Sequence, residues 1–186
     1  MCALAAAEIL FGDFNPCGRL PITFPRSTGQ IPIHYNHNRN EYITSGYYSH
    51  HPYVATNSVS TPLFVFGYGL SYTEFEYTNF KTETASEGLR VTFDVENVGA
   101  RDGYEVAQCY VSDKVASMSR PVKELKAFKK LFLKKGEKKS VEFVLTKEDL
   151  SFSNARGVTV FEEGEFDIEV GLNCRDICFK TTEYIK

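Results

Sequence analysis

Four carboxylates near the C-terminus have the type and spacing that could form a hydrolytic acid/base pair: Glu162 with Glu163, and Asp167 with Glu169. A general acid needs a desolvated cleft that raises its pKa. The first pair lies in a predicted turn and the second on the polar face of a predicted strand. We expect exposed, unperturbed carboxylates at both places, and we therefore interpret both pairs as structural.

The four histidines, His34, His37, His50 and His51, all lie between residues 26 and 60 and could be metal ligands. A zinc site needs four well-spaced ligands, and no cysteine lies near these histidines. We interpret them as loop histidines and expect no metal site.

Cys174 and Cys178 are spaced so that they could form a small disulfide or half of a metal site. A disulfide at a strand-to-strand turn forms only if the backbone geometry permits it. The chain has five cysteines, which cannot all pair internally. This odd number favours two ordinary thiols.

Eight lysines between residues 123 and 139 could indicate a nucleic-acid surface. The whole chain has a net charge of −3, and no aromatic platform is spaced for single strands. We interpret the lysines as a solvated sheet face whose edge charges oppose aggregation. No apolar run approaches the roughly 20 residues that span a bilayer, so neither nucleic acid nor a membrane is an expected partner.

Four tyrosines before residue 60 form the cluster with the strongest functional potential: Tyr42, Tyr47, Tyr48 and Tyr53. Aromatic rings can stack on sugar rings, and they also pack well between domains. The packing interpretation is favoured, and sugar stacking stays open.

The elements that position these residues are organised around an aromatic and glycine-rich stretch, residues 61–75. Its members Phe66, Gly67, Tyr68, Gly69, Leu70 and Tyr72 are too apolar for a free linker. We predict that they form a buried seam between two pieces of structure. Gly67 and Gly69 would allow a turn or a close backbone approach.

Before the seam, the sequence predicts a helix over residues 3–11 that ends at Gly12, and a short strand over 19–25. After it, period-2 patterns predict strands over 89–95, 104–112, 125–133, 141–145 and 177–184, a hairpin of 158–161 with 166–170, and a capped turn at 146–149. Seven or eight short strands are typical of an antiparallel β-sandwich. The chain contains no Trp, which excludes the antibody-type core and leaves a fibronectin type III-like sandwich.

Five motifs resemble the C-terminal half of glycoside hydrolase family 3, in particular its β-glucosidase and β-xylosidase members. They are FGDFNPCGRLPITFP at 11–25, IPIHYN at 31–36, FGYGLSY at 66–72, RPVKEL at 120–125 and GEFDIEVG at 164–171. Cys17 stands where the family more often has Ser, and Ala127 where Gly is common. The motifs span nearly the whole chain in the family's order.

The resemblance implies a parent enzyme that hydrolyses terminal, non-reducing β-linked glucosyl or xylosyl residues through a glycosyl-enzyme intermediate, with no cofactor. Its nucleophile and its acid/base carboxylate belong to parts of the family that would lie upstream of Met1, so no residue here matches either position. We therefore expect no catalytic residue and no activity in the isolated chain. The expected partners are the family's N-terminal barrel and α/β-sandwich domains and, through the parent, a β-linked oligosaccharide.

These expectations define three parts: residues 1–26 as the incomplete end of an α/β-sandwich domain, 27–72 as a linking excursion with the seam, and 73–186 as the sandwich. The apolar helix that begins near Met1 lacks an N-cap, which suggests a preceding element. It also lacks the basic region of a signal peptide, so the compartment stays open between a periplasmic and a secreted parent. The alternative hypothesis is a stand-alone carbohydrate-binding or protein-interaction module that uses the tyrosine cluster.

Overall fold

The computed structural model describes residues 2–38, 61–85 and 88–186. In chain order, its elements are α1 (Cys2–Phe11), a 3-10 turn (Thr28–Gln30), β1 (Phe75–Ala85), β2 (Gly88–Asn97), β3 (Gly103–Asp113), β4 (Glu124–Leu133), β5 (Lys138–Thr146), α2 (Lys147–Leu150), β6 (Phe152–Ser153), β7 (Thr159–Val160), β8 (Gly164–Gly171) and β9 (Ile177–Ile185). None of the helices in these ranges is long and apolar enough to cross a membrane.

The strands form two antiparallel sheets with their inner faces together. One sheet has the order β1-β2-β5, the other has the order β4-β3-β8-β9, and β6 and β7 form a separate two-stranded ribbon. The predicted mainly β fold with an antiparallel sandwich is confirmed by this arrangement.

The core follows from the period-2 pattern of the strands. The inward residues of β2 are at most 1% exposed, and they meet equally buried residues of β3 and β8: Leu89, Val91, Phe93, Val95, Ala107, Cys109, Ile168 and Val170. The Tyr77 and Phe93 rings stack at 5.6 Å between β1 and β2. Each fully buried large apolar side chain contributes about 1.5–3 kcal/mol to folding.

Three predicted local features are confirmed. The β4–β5 turn contains Gly136 at φ 73°, the left-handed backbone that glycine adopts without steric cost. Thr146 and Asp149 form a reciprocal capping box at the start of α2. The predicted N-terminal helix forms as α1, and it is followed by Gly12 at φ 82°.

The predicted hairpin of 158–161 with 166–170 is wrong. β7 pairs with β6, through Phe152 opposite Val160. β8 is already hydrogen-bonded by β3 on one side and β9 on the other, so neither of its edges is available to β7.

The sequence pattern missed β1. Its pairing with β2 shifts register between Thr78 and Lys81, and Asn79 adopts φ 57° there. The extra residue interrupts the alternation of inward and outward side chains. Asn is among the residues that tolerate this backbone region best, and its Nδ2 donates to Asp94 Oδ2 at 2.7 Å.

The predicted strand over residues 19–25 does not form as a regular strand. The structure has only an isolated antiparallel bridge between Phe24 and Phe64. The prolines at 21 and 25 cannot donate to a ladder, which explains why the pairing stays short.

Candidate functional site: the aromatic seam

The seam, residues 66–72, and its flanking residues 61–65 and 73 lie between the N-terminal segment, residues 2–38, and the outer face of β3. On the N-terminal side, backbone hydrogen bonds run from Leu20 N to Tyr68 O at 2.9 Å and from Gly67 N to Leu20 O at 2.8 Å. Phe24 N donates to Phe64 O at 2.8 Å. The N-terminal segment is therefore paired to the seam through its backbone.

On the sandwich side, Gly67 packs against two fully buried side chains of β3. Gln108 Nε2 donates to Gly67 O at 3.1 Å, and Tyr110 OH donates to Gln108 Oε1 at 2.6 Å. A Cβ on Gly67 would lie 2.2 Å from Gln108 Oε1, and Gly67 has φ 80°. Only glycine fits both the backbone conformation and the space.

Gly69 meets a different obstacle. A Cβ there would lie 2.1 Å from the carbonyl oxygen of Gly18. The close approach to another backbone that the sequence suggested is present at Gly69, against Gly18. At Gly67 the backbone takes the positive φ of a turn and lies against the side chain of Gln108.

Tyr35 connects the N-terminal segment to the start of β4. Its ring stacks on Phe66 at 4.0 Å, and its hydroxyl accepts a hydrogen bond from Leu125 N at 3.1 Å. Burial raises the pKa of the Tyr35 hydroxyl. Close by, Val122 N donates to His37 O at 2.9 Å, so the RPVKEL motif is directly in contact with the segment that precedes the seam.

Asn15 joins three separate parts of the chain. Its Nδ2 donates to Asp102 O in the β2–β3 loop at 3.0 Å. Its Oδ1 accepts from Tyr72 N at 2.8 Å and from Ser71 Oγ at 3.0 Å. Tyr72 OH in turn donates to Ile9 O at 2.8 Å, which attaches α1 to the end of the seam.

A buried ion pair lies beneath the seam. Arg19 Nη2 lies 2.8 Å from Glu105 Oε2, with side chains 11% and 1% exposed, and Tyr77 OH donates to Glu105 Oε1 at 2.9 Å. Burial raises the pKa of the Glu105 carboxyl, and the charge of Arg19 only partly offsets this. Our sequence reasoning missed this pair, although a Glu at a core-facing position of an apolar strand indicates a buried partner.

The seam is only partly buried. Gly67 and the flanking residues Val65 and Thr73 are buried, whereas Tyr72 is 46% and Leu70 is 67% exposed. The prediction of burial is therefore wrong for Leu70 and Tyr72. Tyr68 is half-buried and stacks on Phe64 at 5.0 Å.

The prediction that Asp167 and Glu169 are exposed and unperturbed is wrong. Glu169 is 7% exposed and contacts Lys123 Nζ and Lys180 Nζ. Burial opposes ionisation, but hydrogen bonds and charge from the two lysines outweigh it and lower the pKa of Glu169. Burial likewise acts to raise the pKa of Asp167, but Thr182 and Lys180 outweigh it and lower that pKa. Both are ionised carboxylates held in ion pairs, so neither is suited to act as a general acid.

The turn before β8 carries the other pair of carboxylates. Glu162 is half-buried and Glu163 is exposed. Glu162 accepts a hydrogen bond from Ser117 N at 2.8 Å. The hydrogen bonds of the Ser117 hydroxyl and of this backbone N–H lower the pKa of Glu162, so Glu162 is also unsuited to act as a general acid.

The remaining predicted sites are placed as follows. The residues that lie outside the described part of the chain are Met1, Tyr42, Tyr47, Tyr48, Tyr53, His50 and His51. His34 is exposed and His37 half-buried, and within residues 2–38, 61–85 and 88–186 no three His, Cys, Asp or Glu side chains are grouped to hold a metal. Cys174 and Cys178 are free thiols.

The fold defines the chain as an antiparallel β-sandwich of the fibronectin type III-like class, to which the segment of residues 2–38 is attached through the seam. A family model described as a fibronectin type III-like domain matches residues 105–174. The model of the glycosyl hydrolase family 3 C-terminal domain matches residues 3–72. The chain belongs to glycoside hydrolase family 3, of which it carries the C-terminal portion.

Individual relatives agree with this assignment. The chain is 43% identical over 183 residues to the periplasmic beta-glucosidase of Salmonella typhimurium, covering 91% of this chain and 23% of that protein. It is 42% identical to a beta-xylosidase of Formosa agariphila, covering 95% and 24%. A solved β-glucosidase from Erythrobacter marinus superposes with a TM-score of 0.86 at 38% identity, covering 97% and 23%. The chain thus spans about a quarter of the length of the relatives it matches.

Proposed function

We propose that this chain is the C-terminal, non-catalytic portion of a β-glycosidase that hydrolyses terminal, non-reducing β-D-glucosyl or β-D-xylosyl residues. The names of the relatives and the share of them that the chain covers support this proposal. The role of the sandwich is structural. The observation that carries this role is the seam. Backbone hydrogen bonds pair it with residues 2–38. Asn15 attaches the same segment to the β2–β3 loop, and the Arg19–Glu105 ion pair attaches it to β3.

The proposed partners are the barrel and α/β-sandwich domains of the same enzyme, with both catalytic carboxylates upstream of Met1. Around α1 and the seam, several large apolar side chains are 61–85% exposed: Leu4, Leu10, Phe11, Ile22 and Leu70. We propose that these side chains contact the upstream domains, since exposed apolar patches mark interaction sites. We also propose that the chain has three parts, residues 1–26, 27–72 and 73–186. The start of β1 at Phe75, shortly after the second boundary, supports this division.

The buried carboxylates of the described residues are all held by cations. Glu105 pairs with Arg19, Asp113 with Arg120 and Glu169 with Lys123. A retaining glycosidase needs two carboxyl groups about 5–5.5 Å apart that are free to act on the substrate. We therefore expect the isolated chain to be inactive.

This expectation is tested by incubating the purified chain with an aryl β-glucoside and an aryl β-xyloside. The expected result is no turnover above a buffer control. Turnover that persists after repeated purification and disappears in Glu169→Gln would overturn the proposal, because it would place the catalytic carboxylate in this chain. Turnover that Glu169→Gln leaves unchanged would overturn it equally, with another residue as the catalyst.

A periplasmic location of the parent enzyme is also part of the proposal. It is supported by the name of the Salmonella relative. Cell fractionation followed by detection of the full-length protein tests it, and recovery with the cytoplasmic fraction would contradict it.

A further inference from the structure

The open edge of β4 is a surface that the seam does not use. β4 lies at the end of its sheet, beside β3. The residues just before β4 are covered, since Val122 N donates to His37 O at 2.9 Å and Asn38 forms an antiparallel bridge with Pro121. Within residues 2–38, 61–85 and 88–186, no backbone segment pairs with residues 126–132 on the side away from β3. We call residues 126–132 the β4 edge.

The backbone of the β4 edge has hydrogen-bonding groups that face away from β3. In an antiparallel ladder, consecutive residues direct their N–H and C=O groups alternately to one side and to the other. Phe132 O accepts from Lys139 Nζ of β5 at 2.7 Å, so Phe132 faces the side away from β3. By the same alternation, the N–H and C=O groups of Lys130 and Phe128 face that side too. Such a row is a template on which a further strand can pair.

The outer face of the β4 edge alternates aromatic rings with a cation. Phe128, Lys130 and Phe132 share one face, opposite every second residue of β3. Phe128 is 68% exposed. Lys130 Nζ lies 4.7 Å from the centroid of the Tyr104 ring, and that ring packs on Phe132 at 5.0 Å. The edge therefore presents an exposed apolar side chain beside a cation that is held against the sheet.

The charge of the β4 edge is positive and largely unpaired. Residues 126–135 contain five lysines and no Asp or Glu, whereas the whole chain has a net charge of −3. Lys126 pairs with Glu124 at 3.6 Å. Lys129 and Lys130 are exposed, and neither forms an ion pair with another residue in the described part of the chain. An anionic strand is therefore favoured at this edge, because opposite charges on neighbouring strands stabilise their pairing.

We propose that the β4 edge binds an extended acidic peptide segment of a partner protein, which adds to the sheet as a further strand. The peptide backbone pairs with the outward groups of Phe128 and Lys130, as in other cases of strand addition. Acidic side chains lie opposite Lys129 and Lys130, and an apolar side chain packs on Phe128. This surface is independent of the hydrolytic role proposed above.

Other occupants match the β4 edge less well. An acidic polysaccharide or a nucleic acid lacks the regularly spaced backbone N–H and C=O groups that a strand edge pairs with. A second copy of the chain, paired edge to edge, would place lysines opposite lysines, which is destabilising. The lysines thus oppose pairing between copies of the chain and favour an acidic strand.

Fluorescence anisotropy of a labelled synthetic peptide of repeated Glu-Glu-Val units, titrated with the chain, tests the proposal. We expect saturable binding, and at least tenfold weaker binding of a peptide of repeated Lys-Lys-Val units. Methylation of alternate backbone nitrogens of the Glu-Glu-Val peptide should also weaken binding at least tenfold, because a methylated nitrogen cannot donate a hydrogen bond.

Substitutions in the chain test the same contacts. Lys129→Gln combined with Lys130→Gln should weaken binding of the Glu-Glu-Val peptide at least fivefold, and Phe128→Ser several-fold. The matched control is Lys81→Gln, because Lys81 is also an exposed strand lysine but lies in β1 of the other sheet; it should bind as the unaltered chain does. Circular dichroism shows whether each variant is folded, and the exposed positions keep the variants informative.

Several results would overturn the proposal: no binding of the Glu-Glu-Val peptide, equal affinity of its methylated form, or unchanged affinity in the double lysine variant. Polyuridylate and polygalacturonate are titrated in the same way, and tighter binding of either would assign the edge to a nucleic acid or an acidic polysaccharide. Sedimentation of the chain alone should show a monomer. A dimer that Phe128→Ser abolishes would assign the edge to a second copy instead.

Discussion

Arg19 Nη2 lies 2.8 Å from Glu105 Oε2, although the two residues are 86 positions apart in the chain. The ion pair joins the N-terminal segment to β3 at a carboxylate that is 1% exposed. A charge buried this deeply is strongly destabilising when its partner is removed. The pair therefore couples the docking of the N-terminal segment to the stability of the sandwich.

Arg19→Ala should lower the free energy of unfolding by about 3–5 kcal/mol, because it leaves Glu105 buried and unpaired. Urea denaturation followed by circular dichroism measures this. The matched control is Arg90→Ala, which removes the more exposed pair with Glu142 and should cost at most about 1 kcal/mol. Equal effects of the two substitutions would contradict a stabilising role of the buried pair.

Gly67→Ala should destabilise the chain more than Gly157→Ala does. Both glycines have positive φ, 80° and 73°, but a Cβ at Gly157 meets nothing within 4 Å. Gly157→Ala should therefore cost only the backbone strain, about 1–2 kcal/mol. Gly67→Ala adds the collision with Gln108, so its denaturation midpoint should be distinctly lower. Similar midpoints would contradict this prediction, because they would show that the backbone at Gly67 and the side chain of Gln108 shift to accommodate the methyl group.

Glu169→Gln should make stability less dependent on pH. The lowered pKa of Glu169 means that its ionised form stabilises the fold above the ordinary value of 4.5. This contribution is lost as the pH falls through the lowered pKa. The variant should be less stable than the unaltered chain at about pH 7, and this difference should shrink as the pH falls through the lowered pKa, as measured by denaturation over a series of acidic pH values.

The control for this pH effect is Glu163→Gln, which alters an exposed carboxylate between β7 and β8. It should keep the pH dependence of the unaltered chain. A Glu169→Gln variant whose deficit is the same at neutral and at acidic pH would show that the lysines do not stabilise the ionised carboxylate.

Asn15→Ala should loosen residues 2–38 more than it destabilises the sandwich. Asn15 makes three hydrogen bonds that join the N-terminal segment, the seam and the β2–β3 loop, each worth about 0.5–1.5 kcal/mol. Faster hydrogen exchange at Leu20 and Gly67, with unchanged exchange in β2 and β8, is the expected result. Uniform acceleration throughout the chain would contradict the separate role of Asn15.

Period-2 patterns predicted most of the sandwich, because the inward residues of β2, β3 and β8 are apolar and the turns carry their usual residues. They failed for β1, where the irregularity at Asn79 breaks the period. They also failed for β7, whose partner depends on which edges of β8 are occupied. Strand patterns describe one strand at a time and carry no information on such edges.

The seam was predicted as a stretch, but its contacts were not. The aromatic and glycine content of residues 61–75 indicated close packing. The partners Asn15, Arg19, Glu105 and Gln108 are distant in the chain, and only the folded structure brings them together. The burial of Glu169 was missed for the same reason, since Lys123 and Lys180 come from other strands or loops.

The proposed structural role of the chain in its parent enzyme is tested by complementation. The chain is mixed with a separately produced N-terminal portion of the Salmonella β-glucosidase, the part that the chain does not cover, and turnover of an aryl β-glucoside is measured. We predict no turnover by the chain alone, turnover by the mixture, and reduced turnover when the chain carries Gly67→Ala. Turnover by the chain alone, or a mixture no more active than the N-terminal portion by itself, would contradict that role.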